Sequence, residues 1–351
     1  MKRIICLIMS FVMLFTLVGC GSKTEVPAQT QEEIKSEEPS TAEGPKFAFT
    51  IGTSATSSSI IGQTMQYAAD LINERSGGNI TVDCFPDGQL GSDTELIEGV
   101  QMGTITMVIG TTAPQVSFVP DLALFDLPNV YSDIKTAQTV LHEFRPKMEP
   151  SFEGTNLHLC TMFPTVFRYM SSNKAVRSID DFKGIKIRTM ENPYHMAYWN
   201  ALGATATPLA FSELYIGLQQ GLVDAQENPL DIIMSAKLYE QQKYVINTKH
   251  IAFIATILMN QEQWDALPPE YQELMSECFE EAAKFGTENA KKVEEENLQK
   301  LKDAGIEIIE LNEATYAAMI EKAAPVYDMI RNEVGTELVD DYLAAIKAAE
   351  N

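Results

Sequence analysis

An α/β fold in two lobes is what the sequence predicts, and three observations predict it. Strand-like and helix-like runs alternate at short spacing through most of the chain, the pattern of layered α/β architecture. At 351 residues the chain exceeds the size at which one hydrophobic core stops growing. Residues 268–303 read as a single helix with no proline after its first turn. Such a helix rises roughly 50 Å, longer than one small lobe, so it is expected to span both.

The N-terminus reads as a processing signal. Residues 1–19 hold two basic residues, an apolar run and then small residues, too short an apolar run for a spanning helix. The segment Leu17-Val18-Gly19-Cys20 resembles the lipobox of bacterial lipoproteins, in which Cys20 becomes the lipidated mature N-terminus. Residues 20–45 are rich in Gln, Glu, Ser, Thr and Pro, cannot bury enough apolar surface to fold, and read as a flexible tether. A soluble domain held outside a membrane by its lipid alone is the expectation.

The folded part follows in order. Lys46–Gly52 alternates as a strand, and a Ser/Thr-rich turn leads to a helix through Ala68, Leu71 and Ile72 that stops at Gly77-Gly78. Ile80–Phe85 is the next strand. Ser92 with Glu95 three residues on makes a capping box for a helix, and Thr104–Gly110 is strand-like again. Pro120–Pro128 is an apolar connection, Ser132–Phe144 a helix, Asn156–Met162 a strand, and Val166–Ser171 an extended segment carrying Arg168. Pro164, between the last two, marks the expected passage from one lobe to the other. A short strand ends at Arg188. A helix runs from Pro193 to Leu202, another opens near Phe211, and a buried segment ends in Gln226-Glu227-Asn228-Pro229. Gln241–Asn247 and Ile251–Asn260 are strands, the long helix follows, and after a strand at Ile306–Leu311 two helices close the chain. The expected lobes are 46–165 with 254–293, and 166–253 with 294–351.

Composition excludes some functions. A formal net charge of -23 makes the chain a poor partner for nucleic acid or an anionic lipid surface. Its field also repels small anions, so an anion site must be a local basic patch. One exists between Gly154 and Met190. Arg168, Lys174, Arg177, Lys183, Lys186 and Arg188 face only Asp180 and Asp181. Lys174 and Lys183 sit by turns, as solvated charges do, whereas Arg168 and Arg188 sit in apolar, strand-like sequence. In open α/β sheets ligands bind beyond the carboxyl ends of strands, and Arg188 falls at such an end. Its guanidinium offers the planar fork that matches a carboxylate, which lysine does not. Glu213 and Glu227 are costly beside a bound carboxylate and are expected to make structural hydrogen bonds.

No catalytic set stands out. His142, His158, His195 and His250 are scattered, and GxSxG, HExxH, phosphate-loop and CxxC patterns are missing from the sequence. No cofactor and no metal are expected. Tyr194, Tyr198 and Trp199 read as an aromatic helix face, packed in a core or walling a cleft. Cys84, Cys160 and Cys278 read as buried free thiols.

Several segments together resemble the extracytoplasmic solute-binding proteins of TRAP (tripartite ATP-independent periplasmic) transporters, the dicarboxylate and sialic-acid binding group. They are FPDGQLGSDTELIEGVQMG (Phe85–Gly103), SIDDFKGIKIR (Ser178–Arg188), GATATPLAFSELYIGLQQGLVDAQENP (Gly203–Pro229) and KLYEQQKYVINTKH (Lys237–His250). The resemblance implies a two-lobed, periplasmic-binding-protein-like fold that closes over one organic acid, a dicarboxylate, sugar acid or similar carboxylate, and delivers it to a membrane permease. It places the family's carboxylate-binding arginine on Arg188 and a second pocket arginine on Arg168. The pocket aromatic falls on Phe211 and the asparagine of QENP on Asn228, with further ligand contacts at Ser54, Thr111 and Asp93. Ala225 and Ala206 depart from the glycine and proline usual at their positions. A ligand sensor presenting its closed form to a receptor, or a secreted hydrolase, are the competing readings.

Overall fold

The computed structural model describes residues 45–350. The expected signal, Cys20 and nearly all of the tether lie outside the described residues. The first part of the chain alternates as β1 (Phe47–Gly52), α1 (Ile60–Arg75), β2 (Ile80–Phe85), α2 (Asp93–Gln101) and β3 (Met107–Thr111). Ser59 caps α1 by accepting the Gly62 amide, and the chain leaves the helix through Gly77 and Gly78, both at positive φ, which glycine adopts without a Cβ penalty. The capping box of Ser92 and Glu95 forms as expected, with both reciprocal bonds made.

α3 (Ile134–Met148) leads into β4 (Leu157–Phe167), and β5 (Tyr169–Ser172) follows after one residue. Next come β6 (Lys186–Thr189), α4 (Pro193–Ala201), β7 (Thr205–Pro208), α5 (Phe211–Gln219), β8 (Ala225–Asn228), α6 (Leu230–Ser235) and β9 (Tyr244–Asn247). The return leg is β10 (Ala252–Asn260), α7 (Gln261–Asp265), α8 (Pro269–Asp303) and β11 (Glu307–Glu310). α9 (Glu313–Lys322), α10 (Ala324–Val334) and α11 (Thr336–Ala349) end the chain.

Two sheets result. The first has the order β2-β1-β3-β10-β4, with β10 antiparallel to both its neighbours. The second has the order β11-β9-β5-β8-β6-β7, with β5 antiparallel to β8 and β9. The chain passes between them at Arg168, again through residues 248–251, and along α8. Arg168 donates its amide to the Ile251 carbonyl at 3.0 Å, tying the two strand crossings together. α8 has 35 residues, about 52 Å at 1.5 Å each. It packs on α1 and β4 beside the first sheet and on α6 and β11 beside the second, the two-lobe span its length predicts.

Four expectations are corrected. Pro164 does not separate two strands: β4 runs through it, and a register shift between Ala252 and Ile254 on the partner strand absorbs the missing amide. The break falls instead at Arg168. The chain closes with three helices rather than two, because Ala323 ends α9 and starts α10 with Pro325 in the first turn. Those helices are also not confined to the second lobe. α10 packs on α4, whereas α11 packs on α3, where Tyr342 meets Phe144 edge-on at 5.0 Å. Of the three described cysteines, all free, Cys84 is only half-buried.

Candidate functional site

Five of the expected binding residues stand at or just past the end of a strand or at the start of a helix. Thr111 ends β3, Asn228 ends β8, and Ser54 lies two residues past β1. Asp93 is the first residue of α2 and Phe211 the first of α5. The fold brings these five together around one cavity of about 30 Å³ between the sheets, with Thr53, Met190, Ile232 and Phe253 completing its wall. Ser54 Oγ donates to Asp93 Oδ1 at 2.6 Å. Burial raises the Asp93 carboxyl, against the Ser54 bond and the Arg188 charge, which both lower it.

The two arginines stand behind this wall. Arg188, in β6, is 1% exposed. Its Nε donates to the Leu209 carbonyl at 2.8 Å, and its guanidinium carbon lies 6.0 Å from the centre of the Phe211 ring. Its Nη1 is buried without a partner, and among the described residues it forms no ion pair. Burial lowers its pKa to about 10, so it stays charged at neutral pH. Glu191, close along the chain, accepts instead from Thr94 Oγ1 at 2.7 Å.

Arg168 is equally buried but fully engaged on one side. Its Nε and Nη2 grip the two carboxylate oxygens of Glu227, Nη2–Oε1 at 2.9 Å. The same Nη2 reaches the Glu227 carbonyl at 2.7 Å and Asn228 Oδ1 at 2.9 Å. The guanidinium also lies over the Phe253 ring at 5.3 Å, and Nη1 has no partner. Glu227 thus makes the structural hydrogen bonds expected of it and neutralises Arg168.

Glu227 belongs to a larger buried network that the sequence did not reveal. His250 Nε2 lies 3.1 Å from Glu227 Oε2, and Thr248 Oγ1 lies 2.8 Å from His250 Nδ1. Burial lowers the His250 pKa, so the ring is neutral, Nε2–H donates to Glu227 and the Thr248 hydroxyl donates to Nδ1. His195 Nδ1 lies 3.8 Å from Glu227, and its Nε2 lies 3.0 Å from Asp126 Oδ1. Burial alone would push His195 down, but Asp126 and then Glu227 outweigh it and raise the ring to about 9. Burial likewise would raise Glu227, yet Arg168 foremost and both histidines hold it well below the carboxylate range. Asn192 fixes the far end, donating to Asp126 Oδ2 at 2.6 Å and the Ala113 carbonyl at 2.8 Å. Tyr198 and Trp199 pack against His250, so this aromatic face is core. Among the described residues no group of side chains is arranged to hold a metal ion.

Residues 51–333 match the family DctP, bacterial extracellular solute-binding protein, family 7. The chain belongs to this family, the solute-binding proteins of TRAP transporters. A solute-binding protein of Verminephrobacter eiseniae is 32% identical over 84% of this chain and 88% of its own length. The C4-dicarboxylate-binding periplasmic protein DctP of Rhodobacter capsulatus is 32% identical over 80% of this chain and 84% of its own. Among solved structures, the sugar acid binding protein of Advenella mimigardefordensis, in complex with galactonate, superposes with a TM-score of 0.84 at 27% identity, covering 87% of this chain and 99% of that one. A TRAP periplasmic solute-binding protein of Desulfovibrio salexigens with bound orotic acid gives 0.83 at 30% identity, covering 87% and 100%. Both are two-lobed TRAP binding proteins, and this family member shares their architecture.

Proposed function

We propose that this TRAP solute-binding protein captures a small organic acid anion between its lobes and delivers it, unconverted, to the membrane subunits of a TRAP permease. The observation that carries the reading is Arg188: a buried guanidinium, charged at neutral pH, that the protein itself leaves without a carboxylate. A buried lone cation is costly unless an anion completes it. The unpartnered Nη1 of Arg188 and that of Arg168 supply one donor for each oxygen of a ligand carboxylate. Ser54, Thr111, Asp93 and Asn228 supply the polar contacts that orient the rest of the ligand, and Phe211 its apolar wall.

A cavity of about 30 Å³ has room for a water or two and not for an organic acid. Entry therefore requires the lobes to part about the crossings at Arg168, residues 248–251 and α8, and the ligand to favour closure by contacts made only in the closed state. Relatives of known ligand support the class: a C4-dicarboxylate binder, and structures with galactonate and D-erythronate. Removal of residues 1–19 and lipidation at Cys20 would hold the protein at the outer face of the cell membrane, on the tether that ends at Pro45.

Calorimetry against a panel of organic acids tests the reading. At least one carboxylate is expected to bind the full chain, and Arg188→Met and Arg188→Lys to weaken it by about 2–5 kcal/mol, the scale of a broken buried charge pair. Unchanged affinity in Arg188→Met would overturn the role.

A further inference from the structure

We infer that the ligand carries a single carboxylate with hydroxyl groups along the rest of its length, and that Asp93 is the residue that turns dicarboxylates away. The inference deepens the proposed capture of an organic acid and rests on it.

The buried charges around the site decide how much negative charge it accepts. Arg168 is matched by Glu227, and His195 by Asp126 at 3.0 Å. Arg188 makes no ion pair among the described residues, and Glu227, Asp93 and Glu191 act on it only from beyond bonding distance. One positive charge and two unpartnered guanidinium donors fit one carboxylate group with its two oxygens. A second carboxylate would need a second free cation, and Arg168, the other buried guanidinium behind the wall, is already held by Glu227.

The wall opposite the second sheet is built for hydroxyls. It offers Thr53, Ser54, Thr111 and the carboxyl group of Asp93. Asp93 Oδ1 is taken by Ser54 at 2.6 Å, and among the described residues no group donates to Oδ2, which can accept from a ligand hydroxyl. A ligand carboxylate in that position would set two like charges together where water is scarce, which is repulsion used as selectivity. Burial already raises the Asp93 carboxyl and Glu191 adds to it, while Arg188 and Arg168 oppose the rise. Placing another anion there costs more than at an exposed site.

Calorimetric titration of the full chain with galactonate, D-erythronate, succinate and malate tests the inference, with Asp93→Asn as the variant. Asparagine keeps the shape and the Ser54 bond while removing the charge. Asp93→Ser replaces it should Asp93→Asn fail to give a cooperative melt. The wild-type chain is expected to bind an aldonate and to bind succinate at least ~10-fold more weakly. Asp93→Asn is expected to tighten succinate by ~10-fold or more while weakening the aldonate. Succinate bound as tightly as the aldonates by the wild type, or unmoved by the variant, overturns the inference and leaves organic acid capture standing. Binding of neither class overturns both.

Discussion

Two arginines with the same burial do opposite work, and their partners decide which does what. Arg168 holds Glu227 by two bonds, so losing it strands a buried carboxylate; Arg188 holds only a backbone carbonyl. Arg168→Met is therefore expected to lower unfolding free energy by about 3–5 kcal/mol, whereas Arg188→Met leaves it within about 1 kcal/mol of wild type and weakens ligand binding instead. Chemical denaturation beside calorimetry checks the split, and equal destabilisation by both would refute it. His195 gives a second outcome. Its folded pKa of about 9 lies above the ordinary 6.5, so its stabilisation is complete below pH 6.5 and fades as pH rises to about 9. The loss over that window is about 3 kcal/mol, and His195→Gln should flatten the melting temperature across it. A melting curve equally steep in the variant would reject the protonated ring. Arg188 was legible in the sequence because a charge inside a strand-like apolar run must answer to something. Asp126, His195 and His250 were not: they lie far apart in the chain, each without a local pattern, and only the crossing of the strands brings them to Glu227.

The long helix shows how element length reads directly while docking depth does not. A proline-free run of this size had to outgrow one lobe, and α8 does pack beside both sheets. How closely it lies on the first sheet depends on Gly286, whose missing Cβ would meet Phe163 Cε2 at 2.7 Å and Thr64 Oγ1 at 2.8 Å. The helix approaches β4 and α1 there only because no side chain intervenes. Gly286→Ala gains about 1 kcal/mol of helix propensity, yet overpacking costs about 1–3 kcal/mol, so a net loss of stability is expected in urea melts. A stabilised variant would mean that β4 yields more easily than its packing implies. Element boundaries were less legible where pairing overrides local chemistry. Pro164 looks like a break, but β10 shifts register to accommodate it, and a proline signal cannot announce what its partner strand will do. Similarly, the third closing helix exists because Pro325 suits a first helical turn as well as it suits a stop.

At the scale of the whole molecule, a chain of net charge -23 encloses a buried guanidinium, so capture depends on an approach that opens and then shuts. Beside the bonds of Asn192 and His195 to Asp126, Asp231 and Thr94 each make a bond between the lobes outside the ligand wall. Asp231 in the first turn of α6 accepts the Ile60 amide at the start of α1 at 3.1 Å, a buried contact, and Thr94 of α2 donates to Glu191 at 2.7 Å at an exposed one. Both contacts exist only while the lobes are together, so each adds to the stability of the closed form and slows escape of whatever it encloses. Because buried bonds count for more than exposed ones, Asp231→Ala is expected to speed ligand dissociation by roughly 5–10-fold, about 1 kcal/mol, and Thr94→Ala by less than about 2-fold. Association, which happens through the open form, should barely change in either variant. Stopped-flow fluorescence of the two buried tryptophans, Trp199 and Trp264, follows both rates in one experiment. A slower association in Asp231→Ala with unchanged dissociation would place Asp231 on the entry route and not on the latch.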